Sequence, residues 1–275
     1  MAGGDRAGEV PPLPEPLPDG VTCTDSHCHL EIIGRPVGEV LAQARAVGMT
    51  RVVTIGTDVA SSRWAADTAA VHDGVLAAVA VHPDEAATVT DEDLRELEAL
   101  AARPEVRAVG ETGLDHFHTT TAEGWALQEL AFRAHIAIAK AAGIALVIHD
   151  RDAHDDVLRV LLEEGAPEHT VFHCFSGDAA MARLCADRGY AMSFAGNVTF
   201  ANAGSLREAA AVVPAGQLMV ETDAPFLTPV PWRGRPNAPA LVPLTLRVLA
   251  EVRRQDVAEL AADADATAAR IFGRP

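Results

Sequence analysis

The segment VRAVGETGLDH at 106–116 carries the pattern that decides the fold, because an apolar run of strand length leads directly into a polar motif containing Glu111. Four further segments repeat this arrangement: TDSHCHL at 24–30, VIHDRDA at 147–153, VFHCFSG at 171–177 and VETDAPFL at 220–227. A barrel of alternating strands and helices carries its chemistry at the downstream ends of its strands. The five motifs therefore predict functional groups gathered at one end of a barrel.

Apolar runs of strand length alternate with longer Ala- and Leu-rich segments along the whole chain. The strand candidates are 21–26, 51–56, 75–81, 106–111, 145–149, 169–174, 190–196 and 218–223. Helices are predicted near 37–48, 58–72, 91–102, 123–142, 153–164, 178–188, 203–212 and 240–254, with a last helix over AELAADADATAARIFG. Runs this apolar are typical of parallel strands buried on both faces. The pattern predicts an α/β fold, a TIM (β/α)8 barrel in a single domain, with an open, doubly wound sheet as the alternative.

The length and composition fit one such domain. A parallel barrel of eight units typically needs about 250 residues, and the chain has 275. Residues 1–20, rich in Gly, Pro and acid, are predicted to be a disordered lead-in, with the barrel at 21–275. Neither a signal peptide nor a membrane span is predicted. The four cysteines have neither zinc-ribbon nor disulfide-framework spacing, so we expect reduced thiols in a cytoplasmic protein. We expect a monomer with no obligate protein partner.

Two histidines at the end of the first strand candidate predict a metal site. Side chains two residues apart on a strand point to the same face, so His27 and His29 can bind one ion. Asp25 lies on that face too, one step deeper, and is expected to orient an imidazole without binding the ion itself. The alternative is a pair of histidines packed in the core.

Four other residues extend this site from neighbouring strand ends. Glu111 follows an apolar run, where a carboxylate is costly unless it is paired or binds a metal, and its two oxygens can bridge two ions. His149 and His173 end consecutive strand candidates, and Asp223 ends the last one, where it can bind a metal and accept a proton from water. Taken singly, each has a structural alternative: a salt bridge, a core histidine or a turn. Together they predict two ions, with His27, His29, Glu111 and Asp223 holding the first and Glu111, His149 and His173 the second.

These motifs resemble those of the TatD family of metal-dependent hydrolases, within the amidohydrolase-like barrels. The resemblance runs from about Thr22 to Phe272, and HCFSG with ETDAPFLTP is its most specific part. It implies a TIM barrel with two divalent metal ions, Zn, Mn or Mg, and hydrolysis of phosphodiester bonds. Family members are described as DNases, often 3′-to-5′ exonucleases on single strands. The bridging position holds Glu111 rather than the carbamylated lysine of related barrels, since the only lysine, Lys140, lies in a helical stretch.

The resemblance also implies roles for individual residues. The metal ligands are His27, His29, Glu111, His149, His173 and Asp223. Asp223 is also the implied general base, and Glu221 would support Asp223 without binding a metal itself. Residues implied to contact the substrate are His82, Arg151, Ser176 and Arg233.

The chemistry of the site does not fix its substrate. The formal net charge of −17 argues against nonspecific wrapping of nucleic acid, so a nucleic-acid substrate would be bound locally. The same metal chemistry also serves an ester or amide hydrolase, for example a D-aminoacyl-tRNA deacylase. A second alternative is a scaffold protein without activity, against which the complete ligand set argues.

Overall fold

The computed structural model describes residues 9–274, and within them a single sheet of parallel strands runs in the order β1 to β8. The strands are β1 Cys23–Cys28, β2 Met49–Ile55, β3 Val75–Val79, β4 Val106–Asp115, β5 Ala145–Arg151, β6 Thr170–Phe172, β7 Ala191–Phe194 and β8 Leu218–Val220. The α-helices are α1 Val37–Ala46, α2 Val59–Val71, α3 Asp91–Ala101, α4 Ala122–Ala142, α5 His154–Glu164, α6 Ala179–Asp187, α7 Gly204–Val212, α8 Val242–Arg253 and α9 Val257–Phe272.

The sheet closes at its downstream end, where β1 meets the segment that follows β8. Cys28 and Ala224 form a parallel bridge, and the amide of His29 donates to the carbonyl of Ala224 at 2.8 Å. The amide of Asp223 donates in the same way to the carbonyl of His27 at 2.9 Å. The fold is therefore the predicted TIM barrel, and the alternative of an open, doubly wound sheet is wrong.

Two layers of apolar side chains hold the barrel together. Successive strand residues face opposite sides, so Val52 packs under the helices while Val53 belongs to the barrel interior. The interior layer also contains Ile271 and Phe272 of α9, which cluster with Ala145 and Ala191 at the starts of their strands. Because α9 covers the upstream end of the barrel, the functional groups collect at the opposite end.

Side-chain caps define where several helices begin, because they satisfy amides that have no partner within the helix. The side chain of Asp58 accepts a hydrogen bond from the amide of Ser61 at the start of α2, and the side chain of Thr90 accepts one from the amide of Asp93 at the start of α3. Helix α4 ends at Gly143, whose φ of 67° is a left-handed conformation that glycine adopts without strain. These local signals place the loops between strands and helices, including those that carry the strand-end motifs.

The predicted lead-in at 1–20 is described only in part, since residues 1–8 lie outside the described residues. Leu17 is buried in the core, and its amide donates to the carbonyl of Val47 at 3.1 Å. Arg247 donates to the carbonyls of Glu15 and Pro16. Leu17 therefore packs against the barrel, whereas Glu15 and Pro16 are exposed, and the disorder expected for 1–20 stays a prediction. Across residues 9–274, no helix has the length and apolar character needed to cross a membrane.

Candidate metal centre

A cleft of about 700 Å³ opens at the downstream end of the barrel. Its walls include His29, Glu111, His149, His173 and Asp223. His27 lies directly beneath them, with its imidazole fully buried. The structure thus brings all six residues predicted as metal ligands to one place, from β1, β4, β5 and the segments after β6 and β8.

One group of donor atoms forms around the first carboxylate oxygen of Glu111. Oε1 of Glu111 lies 3.6 Å from Nε2 of His27 and 3.4 Å from Nε2 of His29. Oδ1 of Asp223 lies 3.8 Å and 3.5 Å from the same two nitrogens. Two imidazole nitrogens and two carboxylate oxygens therefore converge on one point. This is the residue set that the sequence predicted for the first ion.

A second group forms around the other oxygen of the same carboxylate. Oε2 of Glu111 lies 2.8 Å from Nε2 of His173 and 3.1 Å from Nδ1 of His149. Those two nitrogens are 3.4 Å apart. Since Oε1 faces one set of imidazoles and Oε2 faces the other, Glu111 has the geometry of a carboxylate that bridges two ions.

The unpaired atoms of this centre fit a divalent cation. Nε2 of His27, one of the atoms that converge there, is buried and has no hydrogen-bond partner among residues 9–274. A buried polar atom without a partner is costly, and it is rarely left so unless another group satisfies it. Imidazole and carboxylate donors together suit Zn, Mn or Fe, and mixed sites of this kind also accept Mg. The residues present therefore fit metal ions at both positions.

Two further carboxylates orient the imidazoles of the second group. Oδ2 of Asp115 lies 3.0 Å from Nε2 of His149, and Oε1 of Glu221 lies 3.3 Å from Nδ1 of His173. In each case the carboxylate accepts a hydrogen bond from the N–H of one ring nitrogen, which leaves the other nitrogen free to bind a metal. The amide of Cys174 also donates to Oε1 of Glu221 at 2.8 Å and fixes that carboxylate.

The predictions for Asp25 and Glu221 need correction. Among residues 9–274 the Asp25 carboxylate bonds no imidazole; it accepts from the amide of His27 at 3.3 Å and from the amide and hydroxyl of Thr222, at 2.9 Å and 2.5 Å. It therefore ties β1 to the segment after β8. Glu221 contacts the imidazole of His173 and the amide of Cys174, and not the carboxylate of Asp223.

The electrostatics of the centre favour ionised Glu111. Burial alone would raise the pKa of Glu111, but His173 and His27, with a hydrogen bond from His149, hold that pKa well below its usual range. For His149, burial works against the charged form, yet the hydrogen bonds to Asp115 and Glu111 raise its pKa to about 9. Burial raises the pKa of Asp25 to about 7. A carboxylate that stays ionised between so many imidazoles is an effective metal ligand.

Asp115 is the functional residue that the sequence reasoning missed. Its side chain is fully buried, and Oδ1 accepts from the amides of Phe117 and His118 while Oδ2 contacts His149 and His118. The signal was present in the motif GETGLDH. Glu111, Gly113 and Asp115 lie at two-residue intervals on β4 and therefore share a face.

The predicted substrate contacts divide into two groups. His82, Arg151 and Ser176 line the cleft, whereas Arg233 does not and stacks on the ring of Phe200 at 4.3 Å. The family resemblance implied a substrate contact for Arg233, but the side chain lies against Phe200 instead. Arg151 stacks on the ring of Phe117 at 4.4 Å, which holds its guanidinium at the rim.

Comparison with known proteins identifies the family. Residues 24–273 match the family model described as TatD related DNase. A protein of Mycobacterium tuberculosis, named an uncharacterized metal-dependent hydrolase TatD, is 45% identical over 256 residues, which are 90% of this chain and 97% of that protein. A protein of Cronobacter sakazakii, named a 3′-5′ ssDNA/RNA exonuclease TatD, is 37% identical, covering 85% of this chain and 90% of its own.

A solved structure gives the same result. A TatD homologue of Escherichia coli superposes with a TM-score of 0.84 at 27% sequence identity, covering 92% of this chain and 98% of its own. The predicted resemblance is confirmed: the chain belongs to the TatD family of metal-dependent hydrolases.

Proposed function

We propose that this TatD-family hydrolase is a two-metal nuclease that releases nucleotides from the 3′ end of single-stranded DNA. The observation that carries the proposal is the Glu111 carboxylate, whose two oxygens face two separate sets of imidazoles. A pair of adjacent cation positions suits in-line displacement at phosphorus, where both the attacking and the leaving oxygen need stabilisation. The exonuclease name of a relative that is 37% identical supports the same reaction class.

The ligands assign a chemistry to each part of the centre. Divalent cations bound by them would supply a water of lowered pKa and offset the charge of a phosphoryl group. Asp223 is the proposed general base, since its carboxylate borders the cleft and is 14% exposed, so it can reach a water molecule there. The ionised Glu111 carboxylate lies between the two positions and would bind a cation with each of its oxygens. Asp115 and Glu221 keep His149 and His173 in the tautomers that bind metal.

The rim of the cleft offers contacts to the rest of a substrate. The guanidinium of Arg151 can form charge-assisted hydrogen bonds with a neighbouring phosphate. Phe226 is 51% exposed and lines the cleft beside His29, with the two ring centroids 6.0 Å apart. An exposed aromatic ring at this place can stack on an unpaired base. A single strand presents its bases for such stacking, whereas a duplex does not.

One observation favours a different substrate class. Asp150 and Asp152 also line the cleft, and the whole chain carries a formal net charge of −17. These charges repel a long polyanion that extends beyond the rim. They are compatible with an ester or amide substrate, such as the bond between an amino acid and tRNA, that reaches the centre with one end only.

The test is release of 3′-terminal nucleotides from labelled single-stranded DNA by protein that has been stripped of metal and then reloaded with Mg, Mn or Zn. Asp223→Asn and Glu111→Ala are compared with Asp152→Asn, which changes a carboxylate at the rim of the cleft outside the candidate ligands. Asparagine tolerates the φ of 57° at position 152. We expect metal-dependent release that is lost in the first two variants and kept in the third. Absence of release with every metal, together with turnover of an aminoacyl ester, would transfer the assignment to the second substrate class.

A further inference from the structure

Three side chains outside the six candidate ligands converge at the rim of the cleft. Asp115 ends β4, His118 lies in the loop that follows it, and Asp84 lies in a turn of 3-10 helix, Pro83–Thr88, after β3. Each offers one ligand atom, and the three atoms lie within 4.8 Å of one another. Two carboxylates and one imidazole are thus gathered at a separate place beside the centre built on Glu111.

The distances in this cluster suit atoms that share an ion. Nδ1 of His118 lies 2.8 Å from Oδ2 of Asp115. Within residues 9–274, the Asp84 carboxylate pairs only with two imidazoles, at 3.7 Å from Nδ1 of His82 and 3.8 Å from Nδ1 of His118. Both separations are too long for hydrogen bonds. Two atoms that bind one cation at about 2.1 Å each lie about 3 to 3.6 Å apart, so the cluster needs a shift of only a few tenths of an ångström.

Asp115 can join such a site and still orient His149. Its Oδ2 lies 3.0 Å from Nε2 of His149, and a carboxylate oxygen has a second lone pair, which would bind the cation in place of the direct contact with His118. His82 is in a different situation, because its Nδ1 already accepts from the amide of Asp84 at 3.1 Å. The site therefore has three protein ligands, and its remaining positions are left to water or substrate.

The exposure of the ligands sets the strength of binding. The side chains of His118 and Asp84 are 49% and 38% exposed, whereas that of Asp115 is fully buried. Two mobile ligands lose conformational freedom when they bind an ion, so this site should be weaker than the buried centre at Glu111. We expect a dissociation constant on the order of 0.1 to 1 mM, as in weak carboxylate sites of low rigidity.

The charge of the cleft gives a cation at this place a use. Among residues 9–274, five carboxylates and one guanidinium line the cleft: Glu111, Asp115, Asp150, Asp152, Asp223 and Arg151. Two divalent cations in the centre would leave this set close to neutral, so the phosphates on either side of the scissile one would be attracted only weakly. A third cation beside Asp84 would make the rim positive near the loops that follow β3 and β4.

We propose that Asp84, Asp115 and His118 bind a third, exchangeable divalent cation, which contacts a phosphate next to the scissile one. The site depends only on these three side chains, whereas its contact with a phosphate rests on the proposed nuclease function. An imidazole with two carboxylates suits Mn or Zn, and a site with open positions also accepts Mg that keeps several of its waters.

Binding of Mn²⁺ shows whether the site exists. We would count bound Mn²⁺ by electron paramagnetic resonance of the free ion, up to about 5 mM, several times the expected dissociation constant. Asp84→Asn and His118→Ala each remove one exposed ligand, while Asp115 stays unchanged because it also orients His149. Glu85→Gln is the matched control: it removes the same charge one residue further along the same turn, outside the cleft.

The comparison with Glu85→Gln corrects for weak binding elsewhere on a chain whose net charge is −17. Asp84→Asn and His118→Ala should each bind one equivalent less than Glu85→Gln, and both should keep the two tighter equivalents. A wild-type crystal soaked in excess Mn²⁺ should show an anomalous peak between the three ligand atoms. Equal Mn²⁺ binding in all three variants, or no peak at that place, would overturn the proposal.

The contact with a phosphate has its own readout. In the wild type and Glu85→Gln, KM for single-stranded DNA should fall at least about fivefold between stoichiometric and excess Mn²⁺, because two ligands that contact each other bind more tightly together. Asp84→Asn should keep the higher KM at both concentrations. An equal fall of KM in Asp84→Asn would overturn the contact with phosphate. If the wild type cleaves no DNA with any metal, the nuclease assignment fails, while the Mn²⁺ count and the anomalous peak still decide whether the site exists.

Discussion

Asp115→Asn is predicted to damage the second metal position although it changes only one atom. Oδ1 of Asp115 accepts from the amides of Phe117 and His118, at 2.9 Å and 2.7 Å, so the remaining oxygen of the asparagine must stay there. The new amide nitrogen then replaces Oδ2 and donates toward Nε2 of His149. To accept that bond, His149 must move its proton to Nδ1, the nitrogen that faces Glu111 at 3.1 Å.

The expected size of the effect follows from this change of tautomer. An imidazole that carries a proton on Nδ1 cannot bind a metal through that atom. Loss of a carboxylate that orients a metal-binding histidine typically lowers metal affinity 10- to 100-fold, which corresponds to about 1.4 to 2.8 kcal/mol. A forced wrong tautomer should reach the upper end of that range, because it removes the lone pair that would bind the metal.

The assay is a titration of metal-free protein with Zn²⁺ against a competing metal indicator, which resolves two binding events. We expect Asp115→Asn to weaken the second event more than Asp115→Ala does, since alanine removes the acceptor without enforcing the wrong tautomer. His118→Ala is the matched control: His118 contacts the same carboxylate oxygen at 2.8 Å, but it is 49% exposed and lies outside the six candidate ligands. Wild-type affinity in Asp115→Asn, or an equal loss in His118→Ala, would refute the reasoning.

Three further predictions concern stability and substrate contact. Burial lowers the pKa of His135 from 6.5 to about 4, so between these pH values His135 is protonated in the unfolded chain and neutral in the folded protein. The free energy of unfolding should therefore fall by up to about 3 kcal/mol between pH 6.5 and pH 4, and denaturant titrations of His135→Gln should show a shallower pH dependence. Gly113→Ala would place a Cβ 2.1 Å from the carbonyl oxygen of His149 at a φ of 142° and should lower the free energy of unfolding by at least about 2 kcal/mol. Gly38→Ala in α1 has open space around it and should be neutral or slightly stabilising in the same melting experiment. Arg151→Ala should raise KM for single-stranded DNA about tenfold at low salt, while Arg233→Ala should leave KM unchanged because that side chain lies against Phe200. Equal KM values for the two variants would contradict a contact between Arg151 and the substrate.

The clustering of the six candidate ligands could be predicted from the sequence because strand geometry is regular. His27 and His29 share a face through the two-residue period of a strand, and the ends of parallel strands meet at one edge, which brings Glu111 and His149 to them. The supporting contacts could not be derived in the same way. Glu221 follows β8 and reaches His173, which follows β6, so the contact joins two strands that are not neighbours in the sheet.

The loops were the least predictable part of the site. Arg233 belongs to a proline- and glycine-rich loop in which no period fixes the direction of a side chain, and it contacts Phe200 instead of the cleft. The ring of His82 accepts at Nδ1 from the backbone amide of Asp84, whose direction is set by the turn that follows Pro83. Such contacts come from tertiary structure and leave no repeat in the sequence.

The bridging role of Glu111 is tested most directly by a crystal structure of the protein loaded with Mn²⁺ or Zn²⁺, with anomalous scattering used to locate the ions. We predict two anomalous peaks, one on each side of the Glu111 carboxylate. Nitrogens of His27 and His29 should bind the first ion, and Nδ1 of His149 with Nε2 of His173 should bind the second. A single peak at full occupancy, or two peaks of which Glu111 binds only one, would contradict a two-metal centre built on this residue.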